Sequence, residues 1–210
     1  MNDLEKVYTE RYNKHLFGIC KELEDYIRLC LRDVSRIDRI TTRPKSIKSF
    51  IEKSKSTDNA GDKKYLDPIN QIQDQIGARI ITFYTRDVER IYELLLESLK
   101  PIEQKNRIPD SEWEFGYFGN HSIFLLPTEV YESDFEPGVV PQFFELQIKT
   151  MFQHAWSEAN HDLGYKNIEA SMSPNDKRLL AFTSAQAWGA DFTFNDLSAK
   201  HLSDYPETKH

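Results

Sequence analysis

Cysteine is scarce in this chain: Cys20 and Cys30 are the only two among 210 residues. Both fall in a segment that reads as helix, where ten residues span ~15 Å, beyond the reach of a disulfide. They are read as reduced thiols of a cytoplasmic protein. Without a C-x-x-C pair, a cysteine-based zinc site is excluded. His154 and His161 do not replace it, because seven residues of helix separate them by ~10.5 Å. Long apolar runs are also missing. No stretch approaches the ~20 residues that cross a bilayer, and the start Met-Asn-Asp-Leu-Glu-Lys has no signal-peptide layout. No membrane partner is expected. There is no surplus of positive charge: the net charge of -7 argues against broad binding along a nucleic-acid backbone, while leaving room for a local basic site. No P-loop, G-x-G-x-x-G, H-E-x-x-H, internal repeat or low-complexity tract occurs.

What is present is the profile of a soluble domain, 39% apolar and 29% charged. Residues 3–34 carry Leu4, Tyr8, Leu16, Ile19, Leu23, Tyr26, Ile27, Cys30 and Val34 at helical spacing. A short strand is predicted over 37–43, then a helix over about 47–55 capped by Ser46. A polar loop over 56–64 follows. A short helix or turn over 69–76 leads to a buried strand over 78–84. Asp87 is read as the cap of an amphipathic helix that Pro101 ends. A weak strand and a mobile loop cover 102–115, a strand covers 121–126, and an acidic connection covers 129–141. A last helix spans roughly 174–197. The predicted organisation is an N-terminal helix over 1–36, a core domain over 37–197 and a loose tail over 198–210. Strands mixed with helices indicate an α/β (α+β) sheet covered by helices.

Phe143–Thr150 is the most informative segment. Side chains alternate across a strand, so Phe144, Leu146 and Ile148 face one way and Glu145, Gln147 and Lys149 the other. A helical run from Met151 to Lys166 follows, bearing His154, Trp156, His161 and Tyr165. The polar face reads either as a solvated edge or as a cleft floor. Three further elements carry polar groups. Arg43, Lys45, Ser49 and Lys53 form a basic stretch, either an ordinary surface helix or a polyphosphate cradle. Asp74-x-x-Gly77-x-Arg79 puts a carboxylate at the mouth of a strand, as a cap, an Arg79 partner or a magnesium ligand. Gly116-Tyr117-x-x-x-His121 offers a ring for the core or for a base.

In this order the elements resemble the synthetase domain of the RelA/SpoT family over roughly residues 40–195. The shared motifs are Arg43-Pro44-Lys45-Ser46, Asp74 to Arg79, Gly116 to His121, Glu145 to Thr150, and Trp156 with His161 to Lys166. The form HAW-x-E-x-x-H-D-L-G-Y-K looks like that of the small single-domain alarmone synthetases. The first 40 residues are too few for a hydrolase domain and lack its H-D metal signature, so none is expected.

The resemblance implies a mixed sheet of about five strands flanked by helices, akin to nucleotidyltransferases. It implies transfer of the β,γ-pyrophosphate of ATP to the ribose 3′-hydroxyl of GTP, GDP or an adenine nucleotide. Mg²⁺ would be held by Asp74 and Glu145, with Glu145 also accepting the hydroxyl proton. Lys45, Ser49 and Lys53 would grip the donor phosphates, and Arg43 and Arg79 would sandwich the adenine. Tyr117 would stack on the acceptor base, with His121, Gln147, Gln153 and His154 near it. A homo-oligomer is compatible with this reading.

The chain departs from the family on the acceptor side. Phe118 follows the tyrosine where arginine is common, and the loop before it reads Pro109-Asp110-Ser111-Glu112-Trp113-Glu114 where a P-K pair is common. Lys105 and Arg107 are the candidate substitutes. Two other readings stand beside it. A toxin-type synthetase would modify the 3′ end of tRNA; the missing acceptor-side cations fit that, since a tRNA end offers a 3′-hydroxyl without a 5′-polyphosphate, and the acidic charge disfavours it. A silent nucleotide-binding module is disfavoured by retention of both carboxylates.

Overall fold

The computed structural model describes residues 3–105, 119–131, 138–163 and 172–202. A five-stranded mixed sheet organises them, in the order β1-β2-β5-β4-β3. The strands are β1 Ile37–Pro44, β2 Ile76–Thr82, β3 Pro101–Lys105, β4 Asn120–Leu125 and β5 Phe143–Thr150. β2 and β5 run parallel, and the other neighbours are antiparallel. The central strands are rich in β-branched and aromatic residues, which fit a pleated buried surface. Ile76, Ala78, Ile80, Phe144, Leu146 and Ile148 are all at most 2% exposed.

The N-terminal helical segment comprises α1 Asp3–Arg11, a π-helical turn Tyr12–Leu16, and α2 Phe17–Cys30. Tyr8 and Arg11 are buried on α1, and Leu16, Ile19, Cys20, Leu23 and Ile27 are buried after it. The step from Arg11 to Leu16 is five, one more than an α-helical face allows. The wider turn absorbs that extra residue, so both stripes face the protein. A π turn has no propensity signature, which is why periodicity alone gives one continuous helix.

Ser46 caps α3 (Ile47–Ser54), its hydroxyl accepting from the Ser49 N–H at 3.2 Å. α4 is a single turn, Pro68–Gln71. α5 (Thr85–Leu95) starts three residues earlier than the sequence suggests, and its cap position is Tyr84, not Asp87. Asp87 is fully buried and ion-paired to Arg36 at 3.2 Å, a tertiary role invisible to local sequence. Pro101 does not end that helix but opens β3. α6 is Met151–Leu163 and α7 is Pro174–His201. α7 therefore continues through residues 198–201, expected to be loose, with Ser198 buried against Arg86 at 3.2 Å. Leu179, Phe182, Trp188, Phe192 and Phe194 on α7 are about half exposed.

Gly119, just before β4, allows a close backbone approach. A Cβ there would lie 2.6 Å from the Ile148 carbonyl oxygen and overlap the Lys149 side chain. Backbone cannot retreat as a flexible side chain can. Gly119→Ala is therefore expected to cost about 1–3 kcal/mol by forced repacking, read as a lowered denaturation midpoint in urea.

Candidate active site

Strand register builds the site. Gly77 lies opposite Glu145 and Arg79 opposite Gln147 across β2 and β5, while β1 sets Arg43 beside Gly77 and Thr41 beside Arg79. Period-two alternation puts these six on one face of the sheet, away from the core-facing Ala78, Ile80, Leu146 and Ile148. Together with Lys45, Ser49, Asp74 and His161 they line a cleft of about 540 Å³. The polar face of β5 is thus a cleft floor, not a solvated edge, at Glu145 and Gln147. Lys149 is a correction to that row. It is 5% exposed and turns to α6, donating to the Ser157 hydroxyl at 3.1 Å.

One wall is cationic. As the chain leaves β1, the Lys45 N–H donates to the Gln75 carbonyl at 2.8 Å, fixing the two segments side by side. Lys45 Nζ and Lys53 Nζ both donate to Asp74 Oδ2, at 2.9 and 2.7 Å. Burial raises the Asp74 pKa, but the two ammoniums outweigh it and hold the carboxyl below its ordinary value. The other oxygen, Oδ1, is buried and has no hydrogen-bond partner among the described residues. A buried anionic oxygen without a donor is costly unless something positive meets it.

Glu145 is arranged differently. His121 Nδ1 lies 3.3 Å from Oε1, and Gln147 Nε2 donates to Oε2 at 2.9 Å. Burial again raises its pKa. The hydrogen bonds from His121 and Gln147, with attraction to His121 and Lys53, more than offset that and bring it to about 2. Among the described residues, His121 Nε2 and Gln147 Oε1 are buried without hydrogen-bond partners. A carboxyl depressed in the fold stabilises the protein above its unfolded pKa, and the contribution is lost as pH falls through the folded value. Asp74 and Glu145 both act in this direction. Stability is thus expected to fall from about pH 4.5 towards pH 2, and Glu145→Gln should flatten that limb in acid-denaturation curves.

Arg79 is held by α6. Its Nη1 donates to Glu158 Oε1 at 2.8 Å and lies 3.4 Å from His154 Nδ1. Burial lowers the His154 pKa, and the Arg79 charge lowers it further. His154 therefore stands against Arg79. Gln153 is 8% exposed, its Oε1 accepts from the Thr150 N–H at 2.9 Å, and its own N–H donates to Thr150 Oγ1 at 3.0 Å. That is a reciprocal capping box at the start of α6, which commits its side-chain oxygen. Thr-x-x-Gln before a helix is a readable capping signal. Tyr117, Gly116, Phe118, Arg107, Glu112, Glu114, Tyr165 and Lys166 lie outside the described residues, as does the Lys105 side chain. Two residues of the family-like helix motif that the sequence gives no individual site role take part: Glu158, which pairs with Arg79, and His161, which lines the cleft.

The class defined here is an α+β domain in which a cleft over the face of a mixed sheet holds two carboxylates and a cluster of cations. Residues 42–170 match the region found in RelA / SpoT proteins, and the chain belongs to the RelA/SpoT family. GTP pyrophosphokinase YjbM of Bacillus subtilis (strain 168) is 27% identical over 136 residues, 64% of this chain and 59% of that protein. The chain thus spans under two thirds of the length of that relative. The structure of smu.1046c from Streptococcus mutans UA159 superposes with a TM-score of 0.68 at 27% identity, covering 92% of this chain and 95% of that one. The small alarmone synthetase 1 from Bacillus subtilis bound to its product pppGpp gives 0.69 at 22% identity, covering 96% and 100%. The mixed five-stranded sheet flanked by helices is the fold of these structures. Among the described residues, no helix is long and apolar enough to cross a membrane.

Proposed function

We propose that this protein is a magnesium-dependent pyrophosphotransferase. It moves the β,γ-pyrophosphate of ATP to the ribose 3′-hydroxyl of a second nucleotide, GTP or GDP first among them, releasing AMP. The observation that carries the reading is Asp74, gripped by Lys45 and Lys53 on one oxygen with the other unpartnered, in the same cleft as Glu145. The family and its GTP pyrophosphokinase relative support the reaction class.

Such a transfer needs in-line positioning and charge neutralisation more than covalent chemistry. Lys45, Ser49 and Lys53 supply donors at the wall where the donor phosphates would lie. Arg43 and Arg79 present guanidinium planes from adjacent strands, suited to stacking on adenine. Glu158 and His154 keep Arg79 from swinging out.

The donor set fits a magnesium ion. Among the described residues no group of three or more His, Cys, Asp and Glu side chains forms a metal cage. Magnesium characteristically uses one or two carboxylates and completes its shell with waters and substrate phosphates. Asp74, with its free Oδ1, and Glu145 are those carboxylates. When bound, the ion would neutralise charge on the transferring phosphates. Glu145 also offers the acceptor hydroxyl an oriented hydrogen-bond acceptor. With a pKa near 2 it is a weak proton acceptor, so orientation and charge are its larger contribution.

Lys53→Ala should raise the KM for ATP, or lower turnover, by about 10- to 100-fold, the loss of one charge-assisted contact worth ~1.5–3 kcal/mol. Unchanged ATP kinetics would make Lys53 a surface lysine that merely pairs with Asp74. The function itself is tested by incubating the protein with γ-labelled ATP, Mg²⁺ and GTP, GDP, an adenine nucleotide or tRNA separately. Label on a guanine nucleotide with equimolar AMP is expected. Label on tRNA alone would replace the acceptor. No AMP and no transferred label would overturn the reaction.

A further inference from the structure

The structure assigns a positioning role for the donor cleft to Tyr8 and Arg11 of α1, a helix outside the matched family region, because the two side chains tie down the backbone on both sides of the Lys45–Asp74 pair. This rests on the donor reading of the cleft. Tyr8 is fully buried, and its hydroxyl donates to the Lys45 carbonyl at 2.7 Å. Its ring stacks on Phe50 of α3 at 3.6 Å between centroids and 3° between planes. α3 is the helix that carries Ser49 and Lys53. One residue of α1 therefore touches both the turn that presents Lys45 and the helix that presents the other two donors.

Arg11, three residues on and on the same face, secures the opposite side. It is 4% exposed, and its Nη1 donates to Gln75 Oε1 at 2.8 Å and to the Ile69 carbonyl at 3.0 Å. Its Nη2 donates to the Gly138 carbonyl. Gln75 is 1% exposed, directly follows Asp74, and has its amide nitrogen fixed on the Ile69 and Ile72 carbonyls. Its carbonyl receives the Lys45 N–H at 2.8 Å.

The result is a closed circuit of short bonds from Tyr8 through Lys45 and Gln75 to Arg11, and back along α1. Two ammoniums and a carboxylate are thereby held together before any ligand arrives. Burying an arginine is costly unless its donors are met. A hydrophobic side chain would hold α1 against α3 equally well, so packing alone does not call for this pair. The hydroxyl of Tyr8 is likewise unnecessary for its stack on Phe50. What the polar atoms add is a fixed distance between the two segments of the donor wall.

The experiment measures ATP-analogue affinity by calorimetry, KM for ATP and for the acceptor, kcat, and thermal stability. The proteins are wild type, Tyr8→Phe, Arg11→Gln, Arg11→Lys and Ile91→Val. Tyr8→Phe keeps the stacked ring and deletes one hydrogen bond. It should weaken ATP-analogue binding and raise the ATP KM by about three- to tenfold, leaving the acceptor KM within twofold. Arg11→Gln should do the same more strongly, and Arg11→Lys should recover part of the loss. Ile91→Val, in the core on α5, should lower the melting temperature without changing either KM. If Tyr8→Phe loses stability but keeps wild-type ATP parameters, the two residues merely pack and the proposal falls. Wild-type protein that binds no ATP analogue would overturn the donor reading of the cleft, and this proposal with it. That outcome is distinguishable because it needs no variant.

Discussion

Glu145→Gln is expected to lower kcat by about 10²–10⁴-fold, the scale of several kcal/mol of lost transition-state charge stabilisation. The amide keeps the shape of the carboxyl, so the strand pairing with Gly77 and Ile123 survives. One hydrogen bond from His121 also survives, because the amide oxygen still accepts. What disappears is the negative charge that His121, Gln147 and Lys53 stabilise in the fold. ATP-analogue binding should change far less than turnover, since Arg43, Arg79 and the lysines are untouched. Steady-state kinetics beside calorimetry make the separation. A variant retaining a tenth or more of wild-type kcat would remove Glu145 from the chemistry.

Asp74→Ala is expected to be as damaging to turnover and more damaging to the protein. Lys45 and Lys53 meet on a single Asp74 oxygen, so its removal leaves two ammoniums facing each other across a half-buried wall. Breaking a fully buried pair by deleting one partner typically costs ~3–5 kcal/mol, and the solvent exposure of these three groups puts the cost here below that range. The melting temperature should drop, and added Mg²⁺ should no longer raise it in the presence of an ATP analogue. Asp74→Asn separates the effects: it restores much of the stability, leaves turnover low, and still abolishes the magnesium-dependent rise. A magnesium-dependent stabilisation that persisted in Asp74→Asn would place the ion elsewhere.

The parts of the fold legible in the sequence are those with a local pattern. β5 announces itself by alternation, α3 by Ser46, and α7 by Ser173-Pro174, where Ser173 forms a capping box with Asp176. The convergence of Arg43, Lys45, Ser49, Asp74, Arg79, Glu145 and Gln147 on one cleft follows from motif order and strand periodicity. What failed has a common cause: partners supplied by distant segments. Asp87 looks like a cap until Arg36 reaches it, and Lys149 looks like cleft floor until Ser157 of α6 takes its ammonium. The π turn after Arg11 was hidden because it changes helical phase without any telling residue type. Gln153 carries a signal of the opposite, local kind: Thr150-x-x-Gln153 caps the start of α6. Charge told less than it promised, since a chain of net charge -7 still gathers Arg43, Lys45 and Arg79 around one cleft, with Lys53 paired to its Asp74.

The central claim is that this cleft is the donor and magnesium site. The most direct test is a crystal structure with a non-hydrolysable ATP analogue and Mn²⁺ as an anomalous stand-in for magnesium. The expected result is an anomalous peak within about 2.0–2.4 Å of carboxylate oxygens of both Asp74 and Glu145. The analogue's phosphates should lie against Lys45, Ser49 and Lys53, and its adenine between Arg43 and Arg79. A nucleotide seated outside the cleft, or an ion that touches neither carboxylate, would contradict it.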